Sequence, residues 1–343
     1  MAQDQDPPDP IALARHGKLS LALVGAGLLI LFLVAPTAVL TIFAGLLLAL
    51  FLLTGGDWLS RKLGISQRAG VGLYTVLITG ISLIIFVAFA PSVQTQMNQL
   101  FEDLPVAVQD LRTRLEGNSW TRPLYRALEP EEPAGLATGA LTATLGTLGG
   151  AVVVAFIGLY GALNPEAYRN GLLALIDPAL RPKARLILAR MGLQLRGWLM
   201  ARLFSMAVVG ILTTLGLWAA GVPLAIILGL IAGLLGFIPN IGPILSAVPA
   251  LLMALAEGRS AIWSVVLLYI TVQTVETYIL TPVIEERETS IPPALVLAAQ
   301  LVMGTLYGLL GLALASPLVG AAMIVIREAY VRSVLENQTD PPK

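Results

Sequence analysis

The chain has 343 residues, 57% hydrophobic and only 12% charged, and its 21 basic and 21 acidic side chains cancel to zero formal net charge. Soluble domains carry roughly 25% charged residues, and several uncharged runs here exceed the ~20 residues that cross a bilayer core, so the composition reads as an all-α polytopic membrane protein. The lack of cysteine excludes disulfides, zinc–thiolate sites and iron–sulfur clusters, the single His16 removes histidine-based metal and nucleophile chemistry, and zero net charge offers nucleic acid no field.

Residues 1–18 are polar and proline-rich and read as a disordered tail. Leu19–Ala35 and Pro36–Leu53 form an uncharged pair of predicted helices, with Pro36 and Thr37 at the turn. Proline is tolerated at the first helical position, where its missing N–H costs nothing. Arg61, Lys62 and Arg68 follow, and Ala69–Ala90 is the third span, so 19–90 holds three. From Pro91 to Ala137 the chain is polar, with Val93, Met97, Leu100, Leu104, Val108, Leu111 and Leu115 at helical spacing. That stripe predicts a packing or oligomer surface, as two helices with the second beginning near Pro105.

The fourth span falls in 138–163, where Gly, Ala and Thr permit close helix packing. Segment 164–202 carries Arg169, Arg181, Lys183, Arg185, Arg190, Arg196 and Arg202, and reads as an amphipathic helix beside anionic lipid. Leu203–Ala220 is the fifth span. Basic residues favour the cytoplasmic side. The 54–68 loop has three and 164–202 has seven, whereas 91–137 has four against seven acidic residues. The expectation is a cytoplasmic N-terminus, an external 91–137 and a cytoplasmic 164–202.

Pro223–Ala256 is 34 residues without a charge, interrupted by "GFIPNIGP". As one helix it would run about 50 Å against a ~30 Å core. Two short helices meeting at Pro239, Asn240, Gly242 and Pro243 fit better, as a re-entrant hairpin. A proline-kinked span is the plainer alternative. Broken helices survive at depth only inside protein or beside a wet cavity, and transporters use their ends to bind solutes or ions. After a seventh segment, Ala261–Pro282, and the polar "EERETS" at 285–290, Pro293–Ile326 repeats the theme with Gly304, Gly308, Gly311 and Pro317. The order is span, broken segment, span, broken segment, which is the arithmetic of an inverted repeat. It gives about eight hydrophobic segments in all, a transport core at 203–326, and a cytoplasmic tail at 327–343.

Glu276 is the one acid of this core that falls inside a span, and intramembrane ionisable groups usually serve a pathway. Gln273, Glu276 and Thr277 share a helical face, with Thr281 close by. This set suits a cation, a proton or a sugar-like hydroxyl. The competing expectation is a structural pairing of Glu276 with a basic residue near the surface. Gln300, on the second broken segment, is the other buried polar candidate, with a helix–helix hydrogen bond as its plainer role.

The stretches "GFIPNIGPILSAVPALLMAL", "YITVQTVETYILTPVI", "IPPALVLAAQ" and "GLLGLALASPLVGA", in that order, resemble the autoinducer-2 exporter family of bacterial permeases. The resemblance implies a multi-span, inner-membrane homo-oligomer, counted conventionally as eight spans. It also implies export of a small polar signalling molecule, sodium–proton exchange in some members, and an elevator-like movement of the hairpins. Pro239, Gly242, Pro243, Pro249, Gln273, Glu276, Pro282, Gly311 and Pro317 match the family pattern. Asn240, where members often carry an aromatic residue, and "EERETSIPP" depart from it. The pathway residues expected are therefore Pro239, Asn240, Gly242, Pro243, Gln273, Glu276, Thr277, Gln300, Gly308 and Gly311, with no cofactor or metal. The implied partners are lipid, a small polar solute, H+ or Na+, and further copies of the chain. An intramembrane protease lacks its Ser–His or paired aspartates here, and a non-transporting scaffold leaves the broken segments unexplained. No phosphate-binding loop for ATP occurs.

Overall fold

The computed structural model describes residues 25–27, 30–115, 149–280 and 292–328, and among these there is helix and no strand. Expectations for residues 1–18, 116–148 and 281–291 (Thr281 and Pro282 included) and for the tail beyond 328 lie outside the described residues. The helices are α1 (Pro36–Leu63), α2 (Gln67–Leu115), α3 (Gly149–Leu163), α4 (Pro165–Ala174), α5 (Arg181–Ala219), α6 (Ala225–Leu235), α7 (Ile241–Glu257), α8 (Arg259–Val275) and α9 (Pro293–Ile326). The chain divides into two compact units, Met1–Thr75 with Gly150–Gly197 and Ile291–Lys343, and Val76–Gly149 with Trp198–Ser290.

Among the described residues, five helical stretches are long and apolar enough to cross a membrane: Pro36–Leu63, Gln67–Pro91, Pro178–Ala219, Arg259–Leu280 and Pro293–Ile326. The pair α3 and α4, bent by 93°, makes a sixth if taken as one span. The sequence reading counts about eight. The difference arises because α6 and α7, at 11 and 17 residues, are each too short to count, and of Leu19–Ala35 only residues 25–27 and 30–35 are described, as a short apolar helix.

In the first unit, α1 and α3 approach through small residues. A Cβ on Gly45 would fall 2.6 Å from the Ile157 side chain, and one on Gly158 2.7 Å from Leu48, so only hydrogen fits at these crossings. α1 opens with Pro36 in its first turn, as expected, but runs ten residues past Leu53 and ends at Gly64, which is left-handed at φ 66°. Asn164 precedes Pro165, and the proline ring disfavours a helical conformation in the residue before it. α3 therefore stops at Leu163, and the chain turns into α4. Asp57 accepts from Gln67 Nε2 at 2.7 Å and meets Arg196 at 3.5 Å; Arg190 pairs with Glu328.

In the second unit, Leu217, Ile227, Leu228, Ala250, Met253, Ala254 and Val265 form a core around α6, α7 and α8. Leu100 is buried in it, and Val93 and Met97 pack against it. The apolar stripe after Pro91 thus covers the base of the α6–α7 hairpin. Gln96, on the same part of α2, accepts the backbone N–H of Ile227 at 3.1 Å. It serves an otherwise uncapped α6 N-terminus, where Leu224 sits at φ 61° and offers no side-chain oxygen.

Two boundaries differ from expectation. α2 is continuous through both Pro91 and Pro105, so no second helix begins near 105. α5 joins the basic segment and the fifth span without a break. In both cases the polarity change marks a change of surroundings rather than an end of helix. The surface of α2 over Gln67–Pro91 is apolar, and Ile84, Phe86 and Val87 on it are exposed. Along the helices, the hydroxyls of Thr54, Thr75, Thr214, Thr271, Thr274 and Thr305 each donate to the carbonyl four residues back.

Candidate functional site

The breakers in "GFIPNIGP" each have a place in a tight reversal between α6 and α7. Ile241 N–H donates to the Pro239 carbonyl at 2.8 Å across Asn240, which sits at φ 66°, ψ −43°. This is a γ-turn of the positive-φ kind, a rare and strained geometry. Gly242 N–H bonds the Ile238 carbonyl at 3.0 Å, and a Cβ on Gly242 would lie 1.9 Å from the Leu235 carbonyl oxygen. Residues seven apart on a straight helix stand about 10 Å apart, so the contact records a true fold-back. Pro243 falls in the first turn of α7, where no intrahelical N–H bond is lost. Asn240 is exposed at the tip, Pro239 and Pro243 are half-buried, and Gly242 is buried.

Beside this tip lies a buried ion pair. Arg202, on α5, places Nη1 3.0 Å from Glu276 Oε1, and its Nε donates to the Phe237 carbonyl at 3.3 Å. Ser205 Oγ, one turn along the same helix, donates to the same Glu276 oxygen at 2.9 Å. Trp198 packs edge-on against Phe237, with ring centroids 5.7 Å apart. The Arg202 and Glu276 side chains are 13% and 8% exposed, so neither charge is satisfied by bulk water. Their mutual attraction and hydrogen bonds offset the desolvation cost. Glu276 begins a single π turn, Glu276–Leu280, at the end of α8. One-turn π segments re-aim side chains and recur at functional sites.

Glu276 is the partner of Arg202. Gln273 Nε2 donates to Thr277 Oγ1 at 3.2 Å, with Thr277 exposed, while Glu276 is buried. The expected pairing with a basic residue occurs, but well inside the protein.

The second broken segment, within the other unit, has the same construction. α9 is interrupted at Gly308, whose φ 60° and ψ −146° suit only glycine. A Cβ on Gly311 would lie 2.2 Å from the Met303 carbonyl oxygen, and one on Gly304 lies 3.1 Å from Leu312 Cδ1. Residues eight apart on a straight helix are about 12 Å apart, so residues 293–307 and 309–326 fold against one another. Gln300 is fully buried and Tyr307 packs edge-on against Phe32 at 5.6 Å.

Residues 20–331 match the profile described as AI-2E family transporter, which covers nearly the whole chain. The chain belongs to the AI-2E transporter family. Among its relatives, the Bacillus subtilis protein named "Putative transport protein YrrI" is 26% identical over 296 residues, covering 81% of this chain and 83% of that one. "Putative transport protein YueF", also of B. subtilis, is 22% identical over 274 residues, or 74% of each chain. A "Putative transport protein" of Thermotoga maritima is 26% identical over 110 residues, covering 32% of this chain and 34% of its own.

In this AI-2E transporter, three groups that contact Glu276 or the hairpin tip are not singled out by the sequence reading: Arg202, Ser205 and the carbonyl of Phe237. A signal was present. Arg202 is the last charge before 54 uncharged positions, 203–256, and after Glu257 and Arg259 the next charge is Glu276. A charge that deep in an apolar run needs a partner.

Proposed function

We propose that this AI-2E family member is a secondary transporter exporting a small polar metabolite or signalling molecule, autoinducer-2-like in size and polarity, driven by a proton or sodium gradient. The observation that carries the reading is Arg202, which links a carbonyl of the hairpin tip to the buried carboxylate of Glu276. A polar solute that offers an oxygen to Arg202 or a hydroxyl to Glu276 competes with this link and loosens the tip. Pro239, Asn240, Gly242 and Pro243 shape that tip, and Gln273 and Thr277 lie within one turn of Glu276. Gln300, Gly308 and Gly311 form the corresponding part of the second hairpin. The buried carboxylate of Glu276 also favours a second reading, sodium–proton antiport.

In this proposal both broken segments, 223–256 and 293–326, are re-entrant and related as an inverted repeat, and they move in an elevator-like way within a homo-oligomer of the bacterial inner membrane. Both termini and 164–202 are cytoplasmic, 91–137 is external, and 203–326 is the transport core. The family and the transport names of the relatives support a transporter. The test is reconstitution into liposomes with an imposed proton or sodium gradient and a panel of labelled polar metabolites. Gradient-driven flux of one class, lost in Glu276→Gln and Arg202→Gln, is expected. Flux of none, with correctly assembled protein in the vesicles, would refute the reading.

A further inference from the structure

Within residues 293–307 only Val296, Ala299, Gln300, Met303, Gly304 and Tyr307 are buried or half-buried, and every other position is exposed. They recur at three- and four-residue spacing and make one face. That face carries Met303 and Gly304, which touch Gly311 and Leu312 of the returning arm. One turn back from Gly304 is Gln300, and one turn on from Leu312 is Ser316. The antiparallel register therefore sets Gln300 and Ser316 at the same level, facing across the hairpin.

Three oxygens on these arms are available for a ligand. Gln300 is fully buried and brings an amide carbonyl. Ser316 is 5% exposed, and its Oγ has no hydrogen-bond partner. Thr54, Thr75, Thr214, Thr271, Thr274 and Thr305 give their hydroxyls to their own helices, and Ser316 does not. Pro317 has no N–H to give the carbonyl of Ala313, one turn before it, so that helical bond is missing. No acid or base lies anywhere in 293–326. An amide oxygen, a hydroxyl and a released backbone carbonyl in a dry, uncharged setting are hard, neutral donors. Such donors at a broken helix suit a monovalent alkali cation rather than a divalent one, which demands carboxylates.

We infer that the second hairpin binds a sodium ion between its arms, through Gln300, Ser316 and the Ala313 carbonyl. This deepens, and rests on, the reading of the hairpins as transport machinery. It makes sodium the coupling ion and separates the ion site from the Arg202–Glu276 pair.

The experiment uses the full-length protein purified in detergent, with radioactive sodium as the probe. Thermal stability in sodium chloride, against potassium and choline chloride at equal ionic strength, gives a second readout. Saturable sodium binding is expected, with a higher Tm in sodium only. Ser316→Ala deletes one oxygen with minimal disturbance and weakens sodium binding about tenfold, the value of one lost polar ligand. Pro317→Ala returns an N–H to the Ala313 carbonyl and weakens binding similarly. Equal sodium affinity in wild type and Ser316→Ala would overturn the inference, as would equal Tm in sodium and choline, which is the behaviour of a hydrogen-bonded helix contact or a trapped water. The two readings fail separately. Sodium binding in a protein that moves no solute in vesicles sinks the transport proposal, and solute flux without sodium binding sinks the ion site.

Discussion

The Arg202–Glu276 pair allows a quantitative test in which each partner is removed alone and then together. Both side chains are nearly buried, and removing one member of such a pair costs about 3–5 kcal/mol because a charge is left uncompensated. Glu276→Gln keeps an oxygen for Arg202 and Ser205, so it belongs near the lower end. Arg202→Met also gives up the bond to the Phe237 carbonyl, so it belongs near the upper end. At about 2 °C per kcal/mol for a large domain, the single variants lose about 6–10 °C of apparent Tm, read by fluorescence-detected size exclusion after heating in detergent. Arg202→Met with Glu276→Gln leaves no net buried charge, and is expected to fall by less than either single change. If the double variant loses the sum of the two single losses, the residues do not couple, and the pair cannot be the link between tip and carboxylate.

The glycines at the two reversals admit no side chain. Gly242→Ala and Gly311→Ala each drive a methyl into a carbonyl oxygen, and each should cost at least about 1–3 kcal/mol, visible as lost monodisperse protein. An equal Tm in either would mean that the arms do not fold back as described. Asn240→Gly relieves the positive-φ strain at the tip and should raise Tm, by an amount corresponding to about 1 kcal/mol; a fall in Tm would count against the γ-turn. Gln96→Leu leaves the Ile227 N–H without its acceptor and should cost about 1–3 kcal/mol, while Gln96→Glu, which keeps the acceptor, restores most of it. Cysteine at Asn240, in a chain that has no other, should react poorly or in a state-dependent way if the tip is re-entrant. Rapid labelling from the cytoplasm in every state, at the rate of a cysteine at position 185, would show an ordinary loop.

Much of the hairpin architecture is legible in the residues. Proline and glycine at the centre of a 34-residue apolar run have no use in a straight span, and the structure puts a reversal at Asn240 and another backbone break at Gly308. The depth of Glu276 was equally readable, because apolar neighbours surround it on both sides. Its partner is signalled less directly, since Arg202 stands 74 positions away, and its basic neighbours disguise it as part of an interfacial face. Helix ends were misread at Pro105 and Arg202 for a related reason. Polarity along a chain reports the medium around a helix, whereas the backbone continues wherever hydrogen bonds permit. Proline marked true ends at Ala35 and Asn164, where the residue before it left the helix, and none at Pro91 or Pro105.

The threonines bonded to their own helices carry a consequence for selectivity. A hydroxyl committed to the carbonyl four residues back presents mostly its methyl to whatever passes, so a stretch rich in threonine by composition can behave as hydrocarbon by contact. A polar molecule shedding its water on the way through would find few groups ready to replace it. Ser205, turned toward Glu276, and Ser316, committed to nothing, are two that remain available in the described residues. Discrimination between solutes then depends on a few scattered oxygens, and a single hydroxyl added or deleted along the route should change the preferred cargo more than any adjustment of width.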